Sequence, residues 1–325
     1  MERRAPAKVN LALAVGGRRA DGFHELVSVF VRLELADLLA VEVSATPGGI
    51  DRLSVSGVPG EAVFGLDLVL RAAALLREHA GRPLPALHFS LHKAIPIAAG
   101  LGGGSSDAAA ALELAAAAWE ISLSDVERLD LAARLGSDVP FFAAGVAAAL
   151  VEGRGERLRS LQPPGGDAAV LLVTSAAGLA TADVFRSLDA AAEPGSRGAA
   201  GARPVGSAAD GAASTAHELA VALEAGLDAD AFAGWAGRLR DANDLWPAAV
   251  RLRPELAALR ATIESRLGRP FLLSGSGPTL VALYPSLGAA EAARRQLSGV
   301  RGVGGRRGAR VTATTVGHGQ HREAR

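Results

Sequence analysis

A glycine-rich loop, a lysine and an aspartate carry most of the chemistry that this sequence could perform. The loop is Pro96-Ile-Ala-Ala-Gly-Leu-Gly-Gly-Gly-Ser-Ser106, followed by Asp107 and an alanine-rich run. Gly100, Gly102, Gly103 and Gly104 have no Cβ, so the backbone can turn tightly and bring its N–H groups close to a ligand. Ser105, Ser106 and Asp107 are good N-cap residues, and the alanines behind them form helix readily. A helix N-terminus with open N–H groups attracts anions. Four glycines and two hydroxyls within residues 100–106 favour a nucleotide phosphate cradle over a plain flexible turn. It is not a Walker P-loop, because no lysine follows the last glycine. Gly100, Gly102 and Glu120 imitate a dinucleotide fingerprint, but that motif sits in the turn directly after a strand, and Pro96 with further residues intervenes.

Lys8 lies in Ala5-Pro-Ala-Lys-Val-Asn-Leu11. Alone it reads as a solvated lysine at a strand edge. Asn10 falls on the same face, since strand side chains alternate, and two polar groups on an otherwise apolar strand point to a role. Asp138, in Gly136-Ser-Asp-Val-Pro-Phe-Phe142, either caps its own turn or serves chemistry. A carboxylate held beside a lysine keeps its charge and can orient or deprotonate a hydroxyl. Phe23 and His24, in the turn Asp21-Gly-Phe-His-Glu25, could stack on and hydrogen-bond a flat ligand, although a lone histidine is usually structural. Ser274-Gly-Ser-Gly-Pro278 is a second glycine turn, either structural or ligand-linked. The remaining histidines have no metal-site spacing.

These residues need positioning elements. Val9 to Val15 alternates as a first strand, and 27–33, 38–43, 51–56 and 88–92 read as further strands. Helical spacing covers 67–79, a helix over about 107–120 follows the loop, and another over 124–135 opens with a capping box of Ser124 and Glu127. Gly136 to Pro140 reads as a tight turn leading into buried strands over 141–151. Strand 170–173, helices near 214–225, 254–267 and 289–297, a strand–glycine turn–strand over 271–284 and a last strand at 310–316 complete the chain. Residues 189–214 are a low-complexity insert rich in Ala, Gly and Ser, and 317–325 read as a disordered tail. Mixed blocks of this kind indicate an α+β fold, not regular βαβ winding.

The 325 residues can bury a sizeable core. Net charge is zero, so no basic field favours nucleic acid or a membrane surface. With no cysteine there are no disulfides or thiolate zinc sites. Arg3-Arg4 before a short apolar stretch only faintly imitates a signal peptide, no run is long enough to span a membrane, and the expected location is cytoplasmic.

Three motifs in order, Pro6-Ala-Lys-Val-Asn-Leu11, Gly100-Leu-Gly-Gly-Gly-Ser-Ser106 and Ser274-Gly-Ser-Gly-Pro278, resemble those of the GHMP kinases. Arg19-Ala-Asp-Gly-Phe-His-Glu-Leu26, Gly136 to Phe142, Glu152-Gly-Arg-Gly-Glu156 and, more weakly, Asn243-Asp-Leu245 resemble the branch that phosphorylates a cytidine diphosphate-linked alcohol. The resemblance covers residues 5 to about 316, except the insert. It implies an N-terminal domain like ribosomal protein S5 over 1–160 and a ferredoxin-like C-terminal domain over 161–316. It implies that ATP, accompanied by Mg²⁺, lies on Pro96, Ile97, Ala98, Ala99, Gly100, Leu101, Gly102, Gly103, Gly104, Ser105 and Ser106, with Lys93 and Asp67 near the adenosine. No protein group is assigned to the metal. Asp138 would activate the substrate hydroxyl, with Lys8 holding its charge. A cytosine would stack on Phe23 and Phe185, with His24, Asn10 and Thr181 among the substrate contacts and Gly275, Ser276 and Gly277 nearby. Phe23 stands where the family usually has tyrosine, and Asp67 where asparagine is usual. Kinases of homoserine or mevalonate type, and a non-catalytic nucleotide binder on the same fold, are the competing readings.

Overall fold

A computed structural model describes residues 1–44, 49–57, 67–192, 211–300, 302–304 and 308–317, with the backbone alone described at 67 and 192. The proposed tail beyond 317 and most of the 189–214 insert lie outside these residues. The chain forms two compact units that alternate along the sequence. The first comprises Met1–Lys8, Leu35–Ile97 and Gly102–Val146; the second comprises Val9–Glu34, Ala98–Leu101 and Ala147–Arg325.

Strand β1 (Glu2–Arg18) pairs with β2 (His24–Val43), and both run through the two units. The alternating segment Val9 to Val15 lies in β1, as expected, and Ala7 to Val15 is buried throughout. Lys8 and Asn10 are therefore covered polar groups, not solvated ones; they are 3% and 2% exposed. The stretches 27–33 and 38–43 are one continuous strand, because Glu34 to Asp37 continue the extended backbone without a turn.

In the first unit, β3 (Arg52–Ser56) runs parallel to β4 (Leu87–His92) after the crossover helix α1 (Asp67–Ala80). β4 pairs antiparallel with the second half of β2, Leu38 opposite His92 and Val43 opposite Leu87. Helix α2 (Gly103–Ala118) starts four residues earlier than the sequence suggests. Gly102, at φ 70°, is its N-cap, so Ser105, Ser106 and Asp107 sit inside the first turns instead of capping it. Residues Ser106 to Leu112 of α2 are buried in succession, as expected of an alanine-rich helix covered on all sides. Helix α3 (Asp125–Leu135) has the predicted capping box. Phe141 and Phe142 fall in a short helix, α4 (Val139–Ala143), not in a strand: Pro140 suits a first helical turn, and extended backbone resumes only after Gly145.

In the second unit, the first half of β2 pairs antiparallel with β5 (Ala148–Gly153), and β5 with β6 (Arg157–Leu161). After β7 (Ala169–Thr174) the described residues form α5 (Thr181–Ala192), α6 (Ala212–Glu224), α7 (Ala229–Gly234), α8 (Ala236–Leu239), α9 (Trp246–Leu252), α10 (Glu255–Leu267), β8 (Leu272–Leu273), β9 (Thr279–Tyr284), α11 (Leu287–Gln296) and β10 (Arg310–Thr315). Strands β10, β7, β9 and β8 form an antiparallel sheet in that order. Its core joins Leu171, Val173, Ile263, Phe271 and Leu280 to Leu13 and Val15 of β1. The α+β class read from the sequence is the class observed. No described helix is long and apolar enough to cross a membrane.

Candidate active site

In the first unit the buried Lys8 Nζ lies 3.1 Å from an Asp138 carboxylate oxygen. Asp138 occupies the N-cap position of α4, yet its side chain makes no capping bond. The usual use of an aspartate at a helix start is given up, and the carboxylate, about one-third exposed, turns to the lysine instead. Gly102 sits directly against that lysine: a Cβ there would lie 2.9 Å from Lys8 Cγ and 3.0 Å from Lys8 Cε. A Cβ at Gly103 would meet Ile95 Cγ2 at 3.1 Å and Lys93 Nζ at 3.3 Å. Among the described residues no side chain caps α2, and the buried Ser106 Oγ has no hydrogen-bond partner.

Lys93 anchors the start of this loop. Its Nζ, almost fully buried, lies 2.5 Å from Asp37 and 2.7 Å from Asp107. The other Asp37 oxygen accepts the N–H groups of Ala94 and Ile95 at 2.6 and 2.8 Å. Burial opposes the charge of Lys93, but the two carboxylates overcome it and hold its pKa above the usual lysine value. Two carboxylates around one ammonium leave one negative charge in excess. Burial pushes the Asp107 carboxyl up to about 7, against the pull of Lys93 and with the push of Asp37.

The second unit holds the other predicted residues. Asn10 donates its side-chain amide to Ser28 Oγ at 3.0 Å and its backbone N–H to Ser274 Oγ at 3.2 Å. Ser274 Oγ donates to the carbonyl of Gly100 at 2.9 Å. At Gly100 (φ 75°) an added Cβ would stand 2.3 Å from the Ser274 carbonyl oxygen, so the two glycine turns of the sequence interlock backbone to backbone. Asn243 donates to the carbonyls of Leu273 and Gly275 at 2.9 and 3.0 Å and pins the second turn. Ser276 and Thr181 hydroxyls are 3.0 Å apart. The exposed Ala98, itself at φ 52°, accepts the Leu179 N–H, while Ala99 and Leu101 are buried.

His24 stacks on Phe185, with centroids 5.1 Å apart, and its Nε2 is 2.8 Å from Asp189. Phe23 and Phe185 make no ring contact with each other. Phe23 is 47% exposed with the Arg154 guanidinium over its ring at 5.4 Å. Asp21 accepts the Phe23 N–H at 3.1 Å and shapes that turn, which holds the Asp21 carboxyl below the usual range.

Residues 67–146 match the model of the GHMP kinases N terminal domain, and residues 214–300 match that of the GHMP kinases C terminal. The chain is 40% identical over 297 residues to the 4-diphosphocytidyl-2-C-methyl-D-erythritol kinase of Streptomyces avermitilis, which covers 90% of this chain and 91% of that protein. It is 41% identical over 303 residues to the protein of the same name from a Nocardioides species, with 91% and 92% covered. The chain belongs to the GHMP kinases. A crystal structure of 4-(cytidine 5'-diphospho)-2C-methyl-D-erythritol kinase superposes with a TM-score of 0.68 at 34% identity, covering 98% of this chain and all of that one. A mevalonate kinase from L. major reaches the same TM-score at 15% identity, a likeness of fold alone.

As a GHMP kinase the protein is an ATP-dependent enzyme acting on a small molecule. The fit to ATP is visible in the first unit: a glycine loop where side chains are excluded, an uncapped helix N-terminus and an unpartnered buried hydroxyl suit phosphate oxygens. The side chain of Asp67 lies outside the described residues. Sequence reading missed Asp37, Asp107 and Asp189. Asp107 follows the loop directly but reads as a cap. Asp37 and Asp189 carry no motif, and only folding brings them to Lys93 and His24.

Proposed function

We propose that this kinase transfers the γ-phosphoryl group of ATP to the 2-hydroxyl of 4-diphosphocytidyl-2-C-methyl-D-erythritol, a step in making isoprenoid precursors by the non-mevalonate route. The observation that carries the chemistry is the Asp138 carboxylate, turned away from its own helix and onto the buried Lys8. Phosphoryl transfer needs positioning and charge neutralisation more than covalent catalysis. Asp138 takes the proton of the attacking hydroxyl; Lys8 orients Asp138 and offsets negative charge as it develops. The nucleophile belongs to the substrate, so no serine or cysteine of the protein is required.

The loop from Pro96 to Ser106 receives the phosphates, and Lys93 acts on them by holding the start of that loop through Asp37. Among the described residues no cluster of three His, Asp or Glu side chains could hold a metal ion. Mg²⁺ accompanying ATP would supply charge neutralisation. Phe23, His24, Phe185, Asn10 and Thr181 serve the cytidyl substrate. Its identity is supported by the names of relatives that match about nine-tenths of the chain. The partition near residue 160, with the two matched family segments on either side of it, belongs to the same proposal.

The test is ADP release with ATP, Mg²⁺ and the cytidyl substrate, with homoserine and mevalonate as controls. Turnover confined to the cytidyl compound is expected. Turnover with a control alone discards the substrate assignment and keeps the kinase.

A further inference from the structure

Two buried side chains converge on Gly102. The point where a Cβ of this residue would stand is 2.9 Å from Lys8 Cγ and 3.1 Å from Phe142 Cζ, so the lysine stem and the tip of the ring share the space beside the start of α2. Phe142 belongs to the helix that carries Asp138. Asp138 has helical φ and ψ, −89° and −14°, and Phe142 follows four residues later, so the two side chains project from one face of α4. A single short helix thus supplies one partner of the Lys8–Asp138 pair and, through Phe142, a wall near the other. The far end of α4 is tied as well. Arg128 of α3, itself buried, donates its Nε–H to the carbonyl of Ala143 at 3.0 Å. That carbonyl lies in the last turn, where partners within a helix run out.

We propose that Phe142 is a positioning residue for phosphoryl transfer: with Gly102 it holds the Lys8 stem in register with the carboxylate that its own helix presents. The inference rests on the reading of Asp138 as the base. A lysine has a long stem with many rotamers, and the place of its ammonium depends on what packs along that stem. Here the packing comes from a glycine that leaves room for the stem and a ring that limits it. Close packing leaves no slack at such a contact, so a change in the ring's size reaches the ion pair. Phe142 acts through Lys8 and Asp138, not on the substrate.

Phe142→Leu and Phe142→Tyr test this from opposite sides. Leucine removes the ring tip and loosens the stem; tyrosine keeps the ring and adds an oxygen at Cζ, the atom nearest Gly102. Each is expected to lower kcat by roughly 10–100-fold, the effect of a displacement of about 1 Å at a catalytic group, with KM for ATP and for the cytidyl substrate changed less than about threefold. If the leucine variant does not fold, the tyrosine variant carries the test. The decisive readout is single-turnover rate in a double-mutant cycle with Asp138→Asn. Residues that act as a unit are not additive, so in the Asp138→Asn background the same Phe142 change is expected to cost less than about threefold. An unchanged kcat, a loss confined to KM, or an equal loss in both backgrounds overturns the inference and leaves Asp138 as the base. An Asp138→Asn variant that keeps most of its turnover overturns the base reading, and this inference with it.

Discussion

Asp138→Asn keeps the side chain's shape and removes both its charge and its capacity as a base. Turnover is expected to fall on the order of 10²–10⁴-fold, with little change in KM for either substrate. A variant retaining more than about a tenth of wild-type turnover removes Asp138 from the base role, since general-base assistance is worth at least that much. Asp107 gives a second test at this scale, on stability. Its folded pKa lies well above the unfolded value of 3.8, at about 7. Between those values the native state holds a proton that the unfolded chain has released, so this group makes stability fall as pH rises through that window. Asp107→Asn keeps the neutral form at every pH. Urea unfolding at pH 5 and pH 8 is expected to show a smaller loss of stability toward pH 8 in the variant than in wild type. Equal pH dependence in the two proteins places the shared proton elsewhere.

At the scale of elements, the loop before α2 is constrained by two glycines for different reasons. Gly102 is left-handed at the helix start and packs on the stem of Lys8. Gly102→Ala adds a strained conformation and a Cβ closer than 3.0 Å to Lys8 Cγ. Because a displacement of about 1 Å at a catalytic group can cost on the order of 10²-fold, kcat is expected to fall by about that factor, with only a modest drop in Tm. Gly100 faces backbone, not a flexible side chain, and the Ser274 carbonyl cannot move without shifting the second glycine turn. Gly100→Ala is therefore expected to destabilise the protein by at least about 1–3 kcal/mol in denaturant titrations, the usual cost of overpacking. If Gly100→Ala unfolds like wild type, the two turns do not interlock as described. The helix start itself illustrates a limit of local reading. Ser105, Ser106 and Asp107 all have strong N-cap propensity, but a glycine that reaches φ 70° begins the helix ahead of them.

At the scale of the whole molecule, packing does not follow the linear order of the chain. The second unit takes Val9–Glu34 and Ala98–Leu101 from the N-terminal part of the sequence. Leu13 and Val15 lie in its core, and the Val15 N–H bonds to Asp244 at 2.9 Å. Partial desolvation raises the Asp244 pKa, although the residue as a whole is exposed, and this N–H works against that shift. A fragment of residues 161–325 lacks these partners. It is expected to show neither a near-UV circular dichroism signal nor a cooperative urea transition. Cooperative folding of that fragment would mean that β1 is dispensable to the second unit.

The sequence by itself determined the α+β class, most strands and helices, the capping box of α3 and the pair of glycine turns. Hydrophobic period, cap chemistry and the freedom of glycine are local, and local rules read them. It also carried the motifs that mark a GHMP kinase and pointed to Lys8 and Asp138. What the tertiary structure decided is which polar groups meet. It turned Asp138 from its cap position to Lys8, gave Lys93 to Asp37 and Asp107, and set Asp189 on His24. It also made one strand of two expected ones and a helix of Phe141 and Phe142. These outcomes depend on burial and on contacts between residues distant in sequence, for which neither propensity nor spacing leaves a local mark.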